Sequence, residues 1–282
     1  MTQIVDDGTS ARMVERDPRL RDIDQLVDGT RRGERTWYRA IRAVLEQSYL
    51  AATDVAAQSG KGGGLAAWEH ARRPIAAALD RDGTFLDIGC ANGLLMESVV
   101  AWAAAAGHRI EPYGLDLSPA LVRLARQRLP HWADRIWAGN AMTWRPRRTF
   151  DVVRTELVYV PPGRERDLVQ RLLTHAVAPG GRLVVCSYGS SSGVASRVAP
   201  LGELLAGWGF DVVGEAEATA PTGVVITRVA WIDRPRAAGA QTRSVRGGSR
   251  DRQVDARQHE PAAEQEARRQ PVAQDQAGQH QA

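Results

Sequence analysis

The stretch Thr84-Phe85-Leu86-Asp87-Ile88-Gly89-Cys90-Ala91-Asn92-Gly93-Leu94-Leu95 decides the fold. An apolar run ends in an acid, crosses a turn of small residues and opens onto a second apolar run. This reads as a buried strand over 84–88, a tight turn, and a helix over 93–106. Ligands of open α/β sheets bind in the crevice beside such turns, at the carboxyl ends of the strands. The small residues Gly89, Ala91 and Gly93 let a ligand approach the backbone closely. The helix N-terminus beyond Gly93 offers free N–H groups and a positive dipole end, which suit a carboxylate. Asp87 stands two residues before the first glycine. It suits an ammonium group and would repel a pyrophosphate. The turn also lacks the GxGxxG spacing of dinucleotide sites.

Working outward, helix and strand patterns alternate. A helix over 65–79 precedes the strand. After the turn come a strand over 110–116, a helix over 119–128 and a short strand over 136–138. A buried strand over 150–157, a helix over 164–177 and a strand over 182–187 follow. A helix over 195–208 then leads to two strands, 211–216 and 224–231. Such alternation predicts a mostly parallel sheet with helices on both faces. No helix separates the last two strands, so the final one is expected to run antiparallel. The chain divides into a helical cap with a glycine-rich hinge (1–62), the α/β domain (63–233) and a tail (234–282).

The pattern Asp87-x-Gly89-x-Ala91-x-Gly93 resembles the acidic, glycine-rich loop of class I methyltransferases, which depend on S-adenosylmethionine (SAM). Ala91 stands where the middle glycine is commonest. Three further matches follow in the family's order. Asp116 ends the second strand, where a carboxylate accepts hydrogen bonds from ribose hydroxyls. Asn140 in Gly139-Asn140-Ala141 matches the residue that touches the adenine amino group. Pro179-Gly180-Gly181-Arg182-Leu183 resembles the turn into the fifth strand. The resemblance implies a Rossmann-like, seven-stranded fold and SAM as cofactor. It implies cofactor contacts from Asp87, Gly89, Cys90, Ala91, Gly93, Asp116, Leu117, Asn140 and Ala141. Ser118-Pro119 already supplies a helix cap and first turn, so Asp116 is not needed as a cap.

The family has no universal catalytic residue. Its chemistry needs an aligned acceptor and, for a neutral acceptor, removal of a proton. Acceptor groups lie beyond the fourth strand, here Arg154-Thr155-Glu156-Leu157-Val158-Tyr159-Val160-Pro161-Pro162. Glu156 and Tyr159 are the catalytic candidates; the competing reading makes them packing residues. Val160-Pro161-Pro162-Gly163 lacks the leading amide and trailing aromatic of the (N/D)PP(Y/F/W) loop used on nucleobase amines. Neither Cys90 nor Cys186 is placed as a nucleophile for pyrimidine C5. The six histidines show no metal-ligand spacing. A small-molecule acceptor beneath the N-terminal helices remains, with Trp37, Tyr38, Tyr49 and Trp68 as lining or core. The alternatives are a non-catalytic SAM-binding protein and an RNA-directed methyltransferase.

Composition agrees with a soluble globular chain. It has 282 residues, 43% hydrophobic and 25% charged, with a formal net charge of +4. Lys61 is its only lysine. This thin positive charge argues against nucleic acid as partner. Two cysteines without CxxC spacing fit a reducing compartment, and no apolar run of membrane-spanning length occurs. A cytoplasmic protein is expected. From Arg236 onward there are eight arginines against six acids and no aromatic residue. That composition predicts a disordered tail. Residues 34–57 carry helical apolar spacing. They run into Gln58-Ser59-Gly60-Lys61-Gly62-Gly63-Gly64, read as either a linker or a lid hinge.

Overall fold

The computed structural model describes residues 21–189, 198 and 200–236. Its centre is a seven-stranded sheet of β1 (Gly83–Ile88), β2 (Ile110–Asp116), β3 (Ile136–Ala138), β4 (Phe150–Glu156), β5 (Val177–Tyr188), β6 (Val212–Thr219) and β7 (Val225–Asp233). The strand order is β3-β2-β1-β4-β5-β7-β6. The first five strands are parallel. β7 is antiparallel to both β5 and β6. The expected Rossmann-like architecture is therefore present, with its antiparallel last strand. Strand order reverses direction at β1, so the turn after β1 sits at the topological switch point where ligands bind.

Period-2 alternation sorts the strand residues onto two faces. Phe85, Val152, Val184, Cys186 and Val229 pack on one face against α3 (Gly64–Arg72), the 3-10 turn Arg73–Ala78, and α4 (Leu94–Ala105). Leu86, Ile88, Val153, Val185 and Ala230 pack on the other, against α6 (Glu165–His175) and α7 (Leu201–Gly207). α5 (Pro119–Arg128) closes a smaller cluster of Cys90, Met96, Val122, Ala125, Leu129 and Ile136. Ser118 caps α5 by accepting from the Leu121 N–H at 3.1 Å, with Pro119 in the first turn, as the sequence indicates.

The N-terminal part begins with α1 (Arg21–Asp24) and α2 (Arg31–Ala51). Thr30 caps α2 by accepting from the Gly33 N–H at 3.0 Å. Trp37 is fully buried and donates its indole N–H to Asp24 at 2.9 Å, so it is core. The helix expected over 34–57 stops at Ala51. Ala52 turns extended, and Asp54 accepts from the Ala57 N–H to start a separate 3-10 turn, Ala57–Ser59. The helix expected over 65–79 changes to 3-10 geometry at Arg73, because Pro74 has no N–H to continue the ladder. β5 starts earlier than expected, at Val177. Pro179-Gly180-Gly181 forms an irregularity within its pairing to β4 rather than a turn before it. Most of the tail expected over 234–282 lies outside the described residues, as does the start of the helix expected over 195–208.

Candidate active site

The turn after β1 is held by backbone bonds. The N–H groups of Gly89 and Cys90 both donate to the Leu115 carbonyl, at 2.7 and 3.2 Å, and Gly93 N–H donates to the Cys90 carbonyl at 2.7 Å. Gly89 and Gly93 have left-handed φ of 78° and 79°, and so does Ala91 at 47°. Ala91 thus takes a conformation that favours glycine, at the position where the family's middle glycine is commonest. The Cys90 thiol turns inward, towards Gly114 and Met96. Burial, followed by the nearby Asp116 and Asp87, pushes that thiol well above its ordinary range. Cys90 therefore serves the loop through its backbone.

Asp116 ends β2 and is 8% exposed. One carboxylate oxygen accepts from the Ala91 N–H at 2.9 Å, the other from the Ser118 N–H at 2.8 Å. Each oxygen keeps a second acceptor position. The carboxylate therefore couples the β1 turn to the β2 turn. Burial raises its pKa to about 6, against the lowering effect of the two N–H groups. Leu117 and Asn140 line a cleft of about 380 Å³ together with Arg35, Tyr38, Arg39 and Arg42 of α2. The Asn140 side-chain oxygen accepts from Met142 N–H at 2.8 Å, while Ala141 packs on the core beside α6. All nine residues expected to contact the cofactor fall at the carboxyl ends of β1, β2 and β3.

Asp87 differs from the simplest reading. It is 1% exposed and pairs with Arg154 of β4, whose Nη1 lies 3.2 Å from its carboxylate. Parallel pairing puts Asp87 and Arg154 side by side on one face. Burial drives the Asp87 pKa up to about 6, Arg154 opposing and Glu156 assisting the rise. Arg154 also pairs with Glu156 and donates to the hydroxyls of Tyr159, at 3.1 Å, and Tyr188, at 3.0 Å. Tyr159 donates to Glu156 at 2.6 Å. Burial keeps the Tyr159 phenol far above its usual range, so it stays a proton donor. A Cβ on Gly89 would overlap the Tyr159 ring, which lies directly over the turn. The sequence reading placed Glu156 and Tyr159 but gave no role to Arg154 or Tyr188. An arginine inside the buried run Phe150-Asp151-Val152-Val153-Arg154 was the available signal, since a buried guanidinium needs partners.

The N-terminal elements are tied to these turns. Ser118 donates to Glu46 of α2 at 2.6 Å, and Asn92 donates to the Val55 carbonyl at 2.8 Å. Glu34 of α2 pairs with Arg164, ahead of α6. Tyr38 lines the cleft, whereas Trp68 is buried and donates to Ser59 at 2.8 Å. A Cβ on Gly60 would strike the Tyr49 hydroxyl. Among the described residues no group of three or more His, Cys, Asp or Glu side chains is arranged to hold a metal ion.

No protein-family profile matches the chain. A trans-aconitate 2-methyltransferase from Methylobacterium radiotolerans is 36% identical over 100 residues, covering 36% of each protein. The chain thus spans about a third of the length of the curated relative it matches. N-methyltransferase NodS from Bradyrhizobium japonicum WM9, solved with S-adenosyl-L-homocysteine, has a TM-score of 0.51 at 18% identity, covering 69% of this chain and 98% of that one. The 1,6-didemethyltoxoflavin-N1-methyltransferase of Burkholderia thailandensis, solved with 1,6-didemethyltoxoflavin and S-adenosylhomocysteine, also has a TM-score of 0.51, at 19% identity, covering 72% and 90%. Sheet order, switch-point turn and these likenesses together define the class I methyltransferase fold. The chain carries that fold across its described α/β part.

Proposed function

We propose that the protein is a SAM-dependent methyltransferase acting on a small-molecule acceptor. The observation that carries this reading is Asp116, a buried carboxylate at the end of β2. It is bonded to the β1 turn and keeps acceptor capacity for two ribose hydroxyls. Leu117 and Asn140 would flank the adenine in the adjoining cleft. The turn from Gly89 to Gly93 would pass close under the methionine part, with the α4 N-terminus facing its carboxylate. Bound SAM supplies an electrophilic methyl group on a sulfonium. The chain's own task is to align the acceptor and take its proton.

Glu156 is the base in this reading, and Tyr159 and Arg154 orient it from two sides. Asp87 anchors Arg154 and, through it, Glu156. The small acceptors in the names of the relative and the toxoflavin enzyme support a small acceptor here. The two described cysteines are free and buried, which goes with a cytoplasmic setting. No helix among the described residues is long and apolar enough to cross a membrane.

The test is incubation of the purified protein with methyl-labelled SAM and a metabolite extract, followed by mass analysis. Label should appear in a small metabolite and be lost with Glu156→Gln. Label in the RNA fraction, or none anywhere, would contradict the reading.

A further inference from the structure

Arg72 closes α3 and is 8% exposed. Its guanidinium carbon lies 3.4 Å from the centroid of the Tyr188 ring. Its Nη1 is buried and has no hydrogen-bond partner. Among the described residues no acid forms an ion pair with it. A buried guanidinium nitrogen left unmet is costly, so its presence calls for a partner.

The surroundings lack the opposite charge. Asp87 and Glu156 are both engaged by Arg154, whose guanidinium carbon lies 5.5 Å from the same Tyr188 ring and whose own Nε is also buried and unmet. Lys61, in the glycine-rich hinge, is held below the usual lysine range by burial and then by the like charge of Arg72.

Tyr188 ends β5, two strands from β1. The Arg154 guanidinium stands between the two strands' side chains, donating to Asp87 on one side and to the Tyr188 hydroxyl on the other. Tyr188 is also next to Glu156 through Arg154. We propose that Arg72 binds a carboxylate of the methyl acceptor, so that the substrate is an organic acid. This rests on the methyltransferase reading. A carboxylate fits because it is planar and matches the edge of a guanidinium whose plane the Tyr188 ring fixes. A carboxylate there holds the acceptor beside Glu156.

The test is titration of the S-adenosylhomocysteine-saturated full chain with succinate, citrate, succinamide and inorganic phosphate. At least one of the acids should bind and succinamide should not. Arg72→Gln should weaken acid binding by about tenfold or more, and Arg72→Lys should recover part of it. Both variants should keep S-adenosylhomocysteine affinity within about twofold, which also shows that they fold. No binding by either acid, equal binding by succinamide, or tighter binding by phosphate overturns the proposal. Loss of S-adenosylhomocysteine affinity in Arg72→Gln overturns it too, since it assigns Arg72 to the cofactor's own carboxylate. If the wild-type chain does not bind S-adenosylhomocysteine, the methyltransferase reading fails instead. The same titrations on the ligand-free chain then decide the acid site by itself.

Discussion

Asp116 bonds two turns of the fold together and is the carboxylate on which the proposed cofactor site depends. In the unfolded chain its carboxyl ionises near 3.8, whereas in the fold burial raises it to about 6, as it does for Asp87. Between about pH 4 and 6 the folded state therefore holds more protons than the unfolded one, and the contribution of both groups to stability falls as pH rises through 6. Cofactor binding has the opposite sign, because ribose hydroxyls bond best to the ionised form. One unit below its pKa only about a tenth of Asp116 is ionised, so S-adenosylhomocysteine affinity should fall about tenfold from pH 7 to pH 5. Calorimetry across that range checks this. Asp116→Asn should flatten the profile, and an unchanged profile in that variant would assign the titration elsewhere. Ala91 offers a second residue-scale test. Its left-handed φ costs about 1–2 kcal/mol that glycine does not incur, offset by about 0.4–1 kcal/mol of added unfolded-state entropy. Ala91→Gly should leave the melting temperature unchanged or raise it. A clear fall would mean that the Ala91 methyl contributes packing that outweighs the strain.

At the scale of elements, the strands were more legible than the helices. Strand and sheet expectations follow from apolar runs and alternation, which burial on both faces enforces. Helix ends depend on details that periodicity does not carry. Asp54 starts a new turn where the apolar spacing continues, and Pro74 tightens a helix whose pattern runs on. The turn after β1 and Asp116 were readable because small residues suit left-handed backbone and an acid at a strand end stands out in an apolar run. Arg154, Arg72 and Tyr188 were not, because their meaning lies in contacts between strands distant in sequence. The hinge over 59–64 belongs to this scale as well. It joins α2, tied to Ser118 through Glu46, and the following segment, tied to Asn92 through the Val55 carbonyl, to α3, which carries Arg72. Four glycines in six residues make a segment of low local stability, the kind from which lids are drawn. S-adenosylhomocysteine should slow amide hydrogen exchange at 59–64 and along α2. Protection confined to the Asp87–Gly93 and Asp116 turns would show that the cap is not a lid.

For the whole molecule, the account depends on one crevice formed where strand order reverses between β1 and its neighbours. β2 and α2 bring Asp116, Leu117 and the cleft to one side of it. β4 and β5 bring Glu156, Tyr159 and Tyr188 to the other. In the proposed function the first is the cofactor side and the second the acceptor side, with the buried Asp87–Arg154 pair between them. The most direct test is calorimetric titration of SAM into the wild-type chain and into Asp116→Ala, with melting temperature as the control for folding. The account predicts micromolar binding by the wild type. It predicts a loss of about 1.5–3 kcal/mol in the variant, the value of hydrogen bonds to a charged acceptor. No binding by the wild type, or equal affinity in a folded Asp116→Ala, would contradict it.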